Sequence, residues 1–126
     1  NGKELGCGVY QDNEEIIALP VTQIIPKGEF FDYAAKYQGD SDEITPARIT
    51  EIQRDAVQAI AKEIYSKLNL RGIIRVDFML IEDTPYIIEV NAVPGLSPES
   101  IVPQQLRAAS IPLNKFFDSI IDTTKN

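Results

Sequence analysis

Residues 75 to 100 read RVDFMLIEDTPYIIEVNAVPGLSPES, two short apolar runs separated by a polar turn and followed by a proline-glycine loop. In an extended strand neighbouring side chains point to opposite faces, so Arg75, Asp77 and Met79 share one face and Val76, Phe78 and Leu80 the other. In the second run Ile87, Glu89 and Asn91 share a face, with Ile88 and Val90 behind. A turn centred on Asp83, within Glu82-Asp83-Thr84, pairs Asp77 with Glu89 and Arg75 with Asn91. Opposed side chains on an antiparallel pair have Cβ atoms roughly 4.5–5.5 Å apart, so two facing carboxylates repel unless positive charge is near.

Arg75 can supply that charge, and an ion-paired, solvated sheet face is one reading. The other is a cation site. Three oxygen-bearing side chains in a chain without histidine suit a hard ion such as magnesium, which is commonly held jointly with substrate phosphates. That reading leads to a nucleotide-phosphate site, and spacing alone leaves both open.

The chain has 126 residues, enough for one domain with a real core. With 44% hydrophobic and 25% charged residues it is globular rather than disordered. A net charge of −7 and a pI near 4.5 argue against a broad nucleic-acid or anionic-membrane footprint, while leaving room for a local phosphate site. Cys7 is the only cysteine and histidine is absent, which excludes a disulfide framework, a Cys/His zinc site and a Ser-His or Cys-His nucleophile. A reducing, cytoplasmic setting fits. The sequence shows no signal peptide and no apolar run long enough to span a bilayer. It begins with Asn1 and opens directly into a strand, so a fragment of a longer protein is expected.

Outward from the hairpin, Leu5 to Tyr10 and Ile16 to Leu19 flank a polar turn and read as a β-hairpin, with a third strand over Val21 to Ile25 completing a meander. Glu29 to Ile44 reads as a loop, and it carries Phe30, Phe31, Tyr33, Lys36 and Tyr37. Such a stretch is either a short buried strand or a lid or binding loop. Thr45-Pro46 reads as a helix start, with Ile49, Ile52, Ala56, Val57, Ile60, Ile64 and Leu68 as the inward stripe of a helix ending near Asn69. Val76, Phe78, Ile88 and Val90 are expected to pack on that helix. Ser97-Pro98 or Val102-Pro103 starts another helix through about Ala109, and Pro112 opens a last one bearing Leu113, Phe116, Phe117, Ile120 and Ile121. There is no internal repeat and no Gly-rich phosphate loop. The expected fold is α+β or α/β, a mostly antiparallel sheet covered by helices on one face.

Taken together, Arg75-Val76-Asp77-Phe78, Glu89-Val90-Asn91, Pro94-Gly95 and Ser100-Ile101-Val102-Pro103 resemble the C-terminal part of the ATP-grasp domain of D-alanine–D-alanine ligases. The upstream pieces agree in order. Gly2-Lys3-Glu4 resembles the start of the family's nucleotide-binding strand, Phe30 to Tyr37 its aromatic, lysine-bearing loop, and Thr45-Pro46-Ala47 the helix start after it. The resemblance covers essentially the whole chain and implies an α+β C-terminal ATP-grasp subdomain over 1–126, lacking the family's N-terminal and central domains. It also implies an ATP-dependent ligase of peptidoglycan precursor synthesis that needs magnesium or manganese, and a fragment that is inactive alone.

By the same resemblance Asp77, Glu89 and Asn91 would hold the metal ions bridging the ATP phosphates. Lys36 would contact the terminal phosphates, Glu4 the ribose hydroxyls and Phe30 the adenine. Arg75 would stabilise the phosphorylated intermediate and Gly95 would offer its backbone N–H to the developing oxyanion. Ser100 and Ile101 would contact the carboxylate of the second D-alanine, and Tyr37 would belong to the closing loop and bear on the choice between D-alanine and D-lactate. The implied partners are D-alanine, ATP, the missing domains and, as an open option, a second copy of the chain, with no nucleic acid and no membrane. Ala34 stands where many relatives have Glu, and Ala92-Val93 replaces a frequent Thr and small residue; neither is a proposed ligand. The rivals are another ATP-grasp carboxylate-amine ligase and a non-catalytic magnesium or nucleotide-binding module.

Overall fold

A computed structural model of the chain describes residues 2–26, 41–92, 94–96 and 100–124. The strands are β1 (Gly2–Asp12), β2 (Glu15–Ala18), β3 (Thr22–Pro26), β4 (Ser41–Ile44), β5 (Ile74–Ile81) and β6 (Thr84–Asn91). The helices are α1 (Glu51–Lys67), α2 (Ile101–Ala108) and α3 (Leu113–Thr124). All six strands form one sheet in the order β4-β3-β1-β5-β6, with β2 also on β1, and every pairing is antiparallel.

β1 is the central strand because its alternation serves two cores. Leu5, Cys7 and Val9 enter one core with Val57, Ala61, Tyr65, Val76 and Phe78. Tyr10 enters the other, with Leu19, Val102, Leu106 and Phe116. Helices therefore cover both faces of the sheet, α1 on one side and α2 with α3 on part of the other, where the sequence led us to expect one covered face. The expected meander is also corrected. β3 does not lie beside β2 but continues along the same edge of β1, with Val9 opposite Ala18 and Gly6 opposite Thr22. Three steps on β1 match four along β2 and β3, so the strand steps out at Leu19–Val21, where Pro20 has no N–H to give.

Residues 41–44, expected to be loop, pair with β3 as β4. The expected helix start at Thr45-Pro46 is not one. The Thr45 hydroxyl is 2.6 Å from that of Thr22, and Ala47 N–H donates to Val21 O at 2.8 Å, so this segment stays with the sheet edge. The cap is Thr50, which accepts from Gln53 N–H while the Gln53 side chain accepts from Thr50 N–H, a complete capping box. Val57, Ala61 and Tyr65 are buried on α1, flanked by Ile60 and Ile64, whereas Ile52 is 79% exposed and Leu68, the C-cap, 61%. α2 begins after Ser100, which puts Pro103 in the first turn, where its missing N–H has no helical acceptor to lose. The alternative start at Ser97-Pro98 lies outside the described residues.

The central hairpin has the expected register for an unexpected reason. Its turn is the pair Glu82-Asp83, with Glu82 at φ 56°, and Ile81 faces Thr84. Continued regularly, that turn would set Asp77 opposite Ile88. A bulge intervenes: Phe78 faces Ile87 and Asp77 faces Glu89, so Ile88 is the extra residue. The bulge moves Ile87 to the Phe78 side, away from Glu89 and Asn91. The expected packing of Ile88 and Val90 on α1 is not found; β6 is the sheet edge, and these residues are 54% and 40% exposed. Among the described residues no helix is long and apolar enough to cross a membrane.

Candidate active site

Cross-strand partners share a face, so the register collects side chains into rows. One row holds Asn91, Arg75 and Gly8, the next Glu89, Asp77 and Gly6, and a third Met79, Glu4, Ile24 and Glu43. Five polar residues singled out from sequence, Glu4, Arg75, Asp77, Glu89 and Asn91, thus lie on one face.

At its centre Arg75 Nε and Nη2 donate to Asp77 Oδ1 at 2.8 Å and Oδ2 at 2.9 Å, a two-pronged pair between residues two apart on β5. Asn91 Nδ2 donates to Asp77 Oδ2 at 3.1 Å and to Arg75 O at 3.3 Å, tying β6 to the pair. Asp77 is buried, Arg75 half-buried and Glu89 exposed. The hydrogen bonds to Asp77 hold the Arg75 guanidinium above its ordinary pKa; burial opposes this, and the charges of Asp77, Glu43 and Glu89 add to it. The facing carboxylates thus have a counter-charge in Arg75, which bonds Asp77 directly and feels the charge of Glu89.

Gly6 lets the pair lie flat on the sheet. A Cβ there would stand 3.2 Å from Asp77 Oδ1 and 3.5 Å from Arg75 Nε. Glycine inside a strand is the signal of such a close approach, and it went unused in the sequence reading, as did Glu43. The proline-glycine loop brings two more expected residues together: a Cβ on Gly95 would be 2.9 Å from Ser100 Oγ. Ser100 is the N-cap of α2, and its side chain makes no cap hydrogen bond. Ile101 turns its side chain into the interior, so only its backbone can address a ligand. Phe30, Lys36 and Tyr37 lie outside the described residues.

The donor set fits a hard cation. Among the described residues no three His, Cys, Asp or Glu side chains converge, so a metal would rest on the Asp77 and Glu89 carboxylates with Asn91 Oδ1, the amide oxygen not used in the bonds above. Cys7 offers no nucleophile: burial pushes its thiol up to about 12, and Sγ donates to Leu19 O at 3.4 Å. A cleft of about 220 Å³ between Pro20, Pro46, Ile49 and Arg54 contains none of the site residues.

The family model described as D-ala D-ala ligase C-terminus matches residues 1–122. The D-alanine–D-alanine ligase of Christiangramia forsetii is 49% identical over 126 residues, all of this chain and 39% of that protein. The ligase of the same name from Porphyromonas gingivalis is 45% identical over 95% of this chain and 37% of its own length. Among solved structures, the Bacillus anthracis D-alanine–D-alanine ligase complexed with ATP superposes with a TM-score of 0.76 at 28% identity, over 98% of this chain and 38% of that one. The VanG D-Ala:D-Ser ligase of Enterococcus faecalis gives 0.78 at 30% identity, over 98% and 36%. The chain thus spans well under half the length of the curated relatives it matches.

Proposed function

The chain belongs to the D-ala D-ala ligase C-terminus family, and from that premise we propose that the protein carrying it joins two D-alanines at the expense of ATP, supplying a peptidoglycan precursor. The γ-phosphoryl group passes from ATP to a carboxylate oxygen of the first D-alanine, releasing ADP. The amine nitrogen of the second then attacks the carbonyl carbon and loses a proton, and the C–O bond to phosphate breaks. Phosphoryl transfer of this kind depends on positioning and charge neutralisation rather than on covalent work by the protein.

The observation that carries the reading is the Arg75–Asp77–Asn91 cluster with Glu89 opposite Asp77 on the same face. Arg75, its charge secured by Asp77, stabilises the phosphorylated intermediate. Glu4 on the same face takes the ribose hydroxyls. Gly95 gives its N–H to the developing oxyanion, while Ser100 and the Ile101 backbone hold the carboxylate of the acceptor. Asp77, Glu89 and Asn91 would hold magnesium or manganese, which when bound offsets phosphate charge. Phe30 against adenine, Lys36 on the terminal phosphates and Tyr37 in the closing loop complete the assignment. Relatives 43–49% identical and named D-alanine–D-alanine ligase support D-alanine as acceptor.

The remaining parts of the site would come from N-terminal and central domains of the same protein, so the 126 residues alone are inactive. A lone buried thiol and an ATP-dependent reaction support a cytoplasmic setting. The exposed apolar edge strand β6 supports a homodimer as part of the same proposal, to be read by sedimentation. The deciding experiment is Glu89→Gln in the full-length protein. D-alanine-dependent phosphate release is expected to fall at least about a hundredfold, the order seen when one charge-stabilising group is removed; unchanged turnover would sink the metal assignment.

A further inference from the structure

We propose that Gln105 is a positioning residue, whose carboxamide sets where the Ser100 end of α2 stands over the sheet face bearing Arg75 and Asp77, and so governs how the acceptor is held. The inference rests on the ligase reading above.

Gln105 is fully buried beside an otherwise apolar core of Tyr10, Leu19, Val102, Leu106 and Phe116. A buried amide is tolerated there only when bonded, and this one is. Gly8 N–H donates to Oε1 at 2.9 Å, and Nε2 donates to Gly6 O at 2.9 Å and Thr22 Oγ1 at 3.0 Å. The amide fits one way round, since the flipped form would set N–H against N–H and oxygen against oxygen. At the step between β2 and β3, the Gly8 N–H thus meets a side-chain oxygen instead of a strand carbonyl. Glycine at this position is required by the contact, because a Cβ on Gly8 would stand 2.8 Å from Oε1.

The grip falls beside the site. Gly6 is the register partner of Asp77 and Gly8 that of Arg75. On α2, Gln105 lies five residues beyond the N-cap Ser100, about 7.5 Å along the helix axis. Val102 and Leu106 pack α2 onto the sheet through apolar contacts, which carry no direction and tolerate sliding. The three hydrogen bonds do not tolerate it. A second polar tie, Gln104 Nε2 to Glu43 Oε1 at 2.7 Å, joins the same helix to β4. Helix position, and with it the distance from Ser100 to the Arg75–Asp77 pair, is thereby referred to β1.

The test is steady-state kinetics of the full-length protein with ATP and D-alanine. Gln105→Met keeps length and removes all three bonds; Thr22→Val removes one of them together with the Thr22–Thr45 hydroxyl pair, which Thr45→Ala removes alone as the control, and decides the matter if the first variant does not fold. The KM for acceptor D-alanine is expected to rise about tenfold in Gln105→Met and about threefold in Thr22→Val, with the KM for ATP within about twofold, as small misplacements of substrate-holding groups act on the substrate they hold. A purely structural role would lower Tm and leave both KM values in place. That result in the folded variants, or a parallel rise of both KM values, overturns the proposal. A wild-type protein without D-alanine-dependent phosphate release removes the ligase reading instead.

Discussion

Arg75 and Asp77 are two residues apart on one strand, and their pairing decides what the face can do. The Asp77 carboxylate takes the Arg75 guanidinium through both oxygens, and those bonds hold the guanidinium above its ordinary pKa in a half-buried place. Cys7, on the neighbouring strand β1, illustrates the opposite case. Its folded-state pKa, about 12, lies above the ordinary 9.0, so the neutral thiol favours the fold. That contribution is complete below about pH 9 and is lost as pH climbs toward 12, because the unfolded chain ionises first. Native protein is expected to resist a thiol-reactive disulfide reagent near pH 8 and to react fully once denatured, thiolate being the reactive form. Rapid native labelling would show that Cys7 is accessible.

At the scale of elements, α1 owes its start to Thr50 and Gln53 rather than to Thr45-Pro46. Thr50→Ala is expected to cost about 1 kcal/mol of stability, the usual worth of a capping side chain, measured by urea unfolding. Thr45→Ala acts elsewhere, on the hydroxyl pair with Thr22, and is expected to leave helix content unchanged by circular dichroism. The hairpin teaches a related lesson. A two-residue turn and a one-residue bulge at Ile88 together give the register that a longer turn would have given. Pairing at the site is therefore secured twice over, by the bulge and by the Asn91 amide that bonds across to Arg75 O and Asp77.

On the scale of the molecule, one sheet carries an acidic face whose far end is closed by α2 and α3, while β6 and the Leu113, Phe117 and Ile121 stripe of α3 stay exposed. In the ligase reading this face is one wall of a cleft. The 126-residue chain alone is accordingly expected to bind Mg-ATP weakly or not at all. Calorimetry giving a Kd near or below about 1 μM would contradict this, since affinity of that order needs about 8 kcal/mol of binding free energy from half a site.

Local chemistry was enough for the sequence to determine the six strands' approximate places other than β4, the antiparallel hairpin and the grouping of Asp77, Glu89 and Asn91 with Arg75, because alternation and turn residues act over a few neighbours. The family was legible from ordered motifs over the same stretch. Tertiary structure alone decided the rest. It settled that β3 extends β2 along β1, that helices cover both faces, that Thr45 belongs to the sheet edge, and which contacts Gly6, Gly8, Glu43 and Gln105 make. Each of these depends on contacts between residues well separated in sequence, Gln105 with Gly8 being 97 apart. No periodicity within a segment encodes which strand edge lies open to receive a buried amide, so such a partner appears only when the chain has packed.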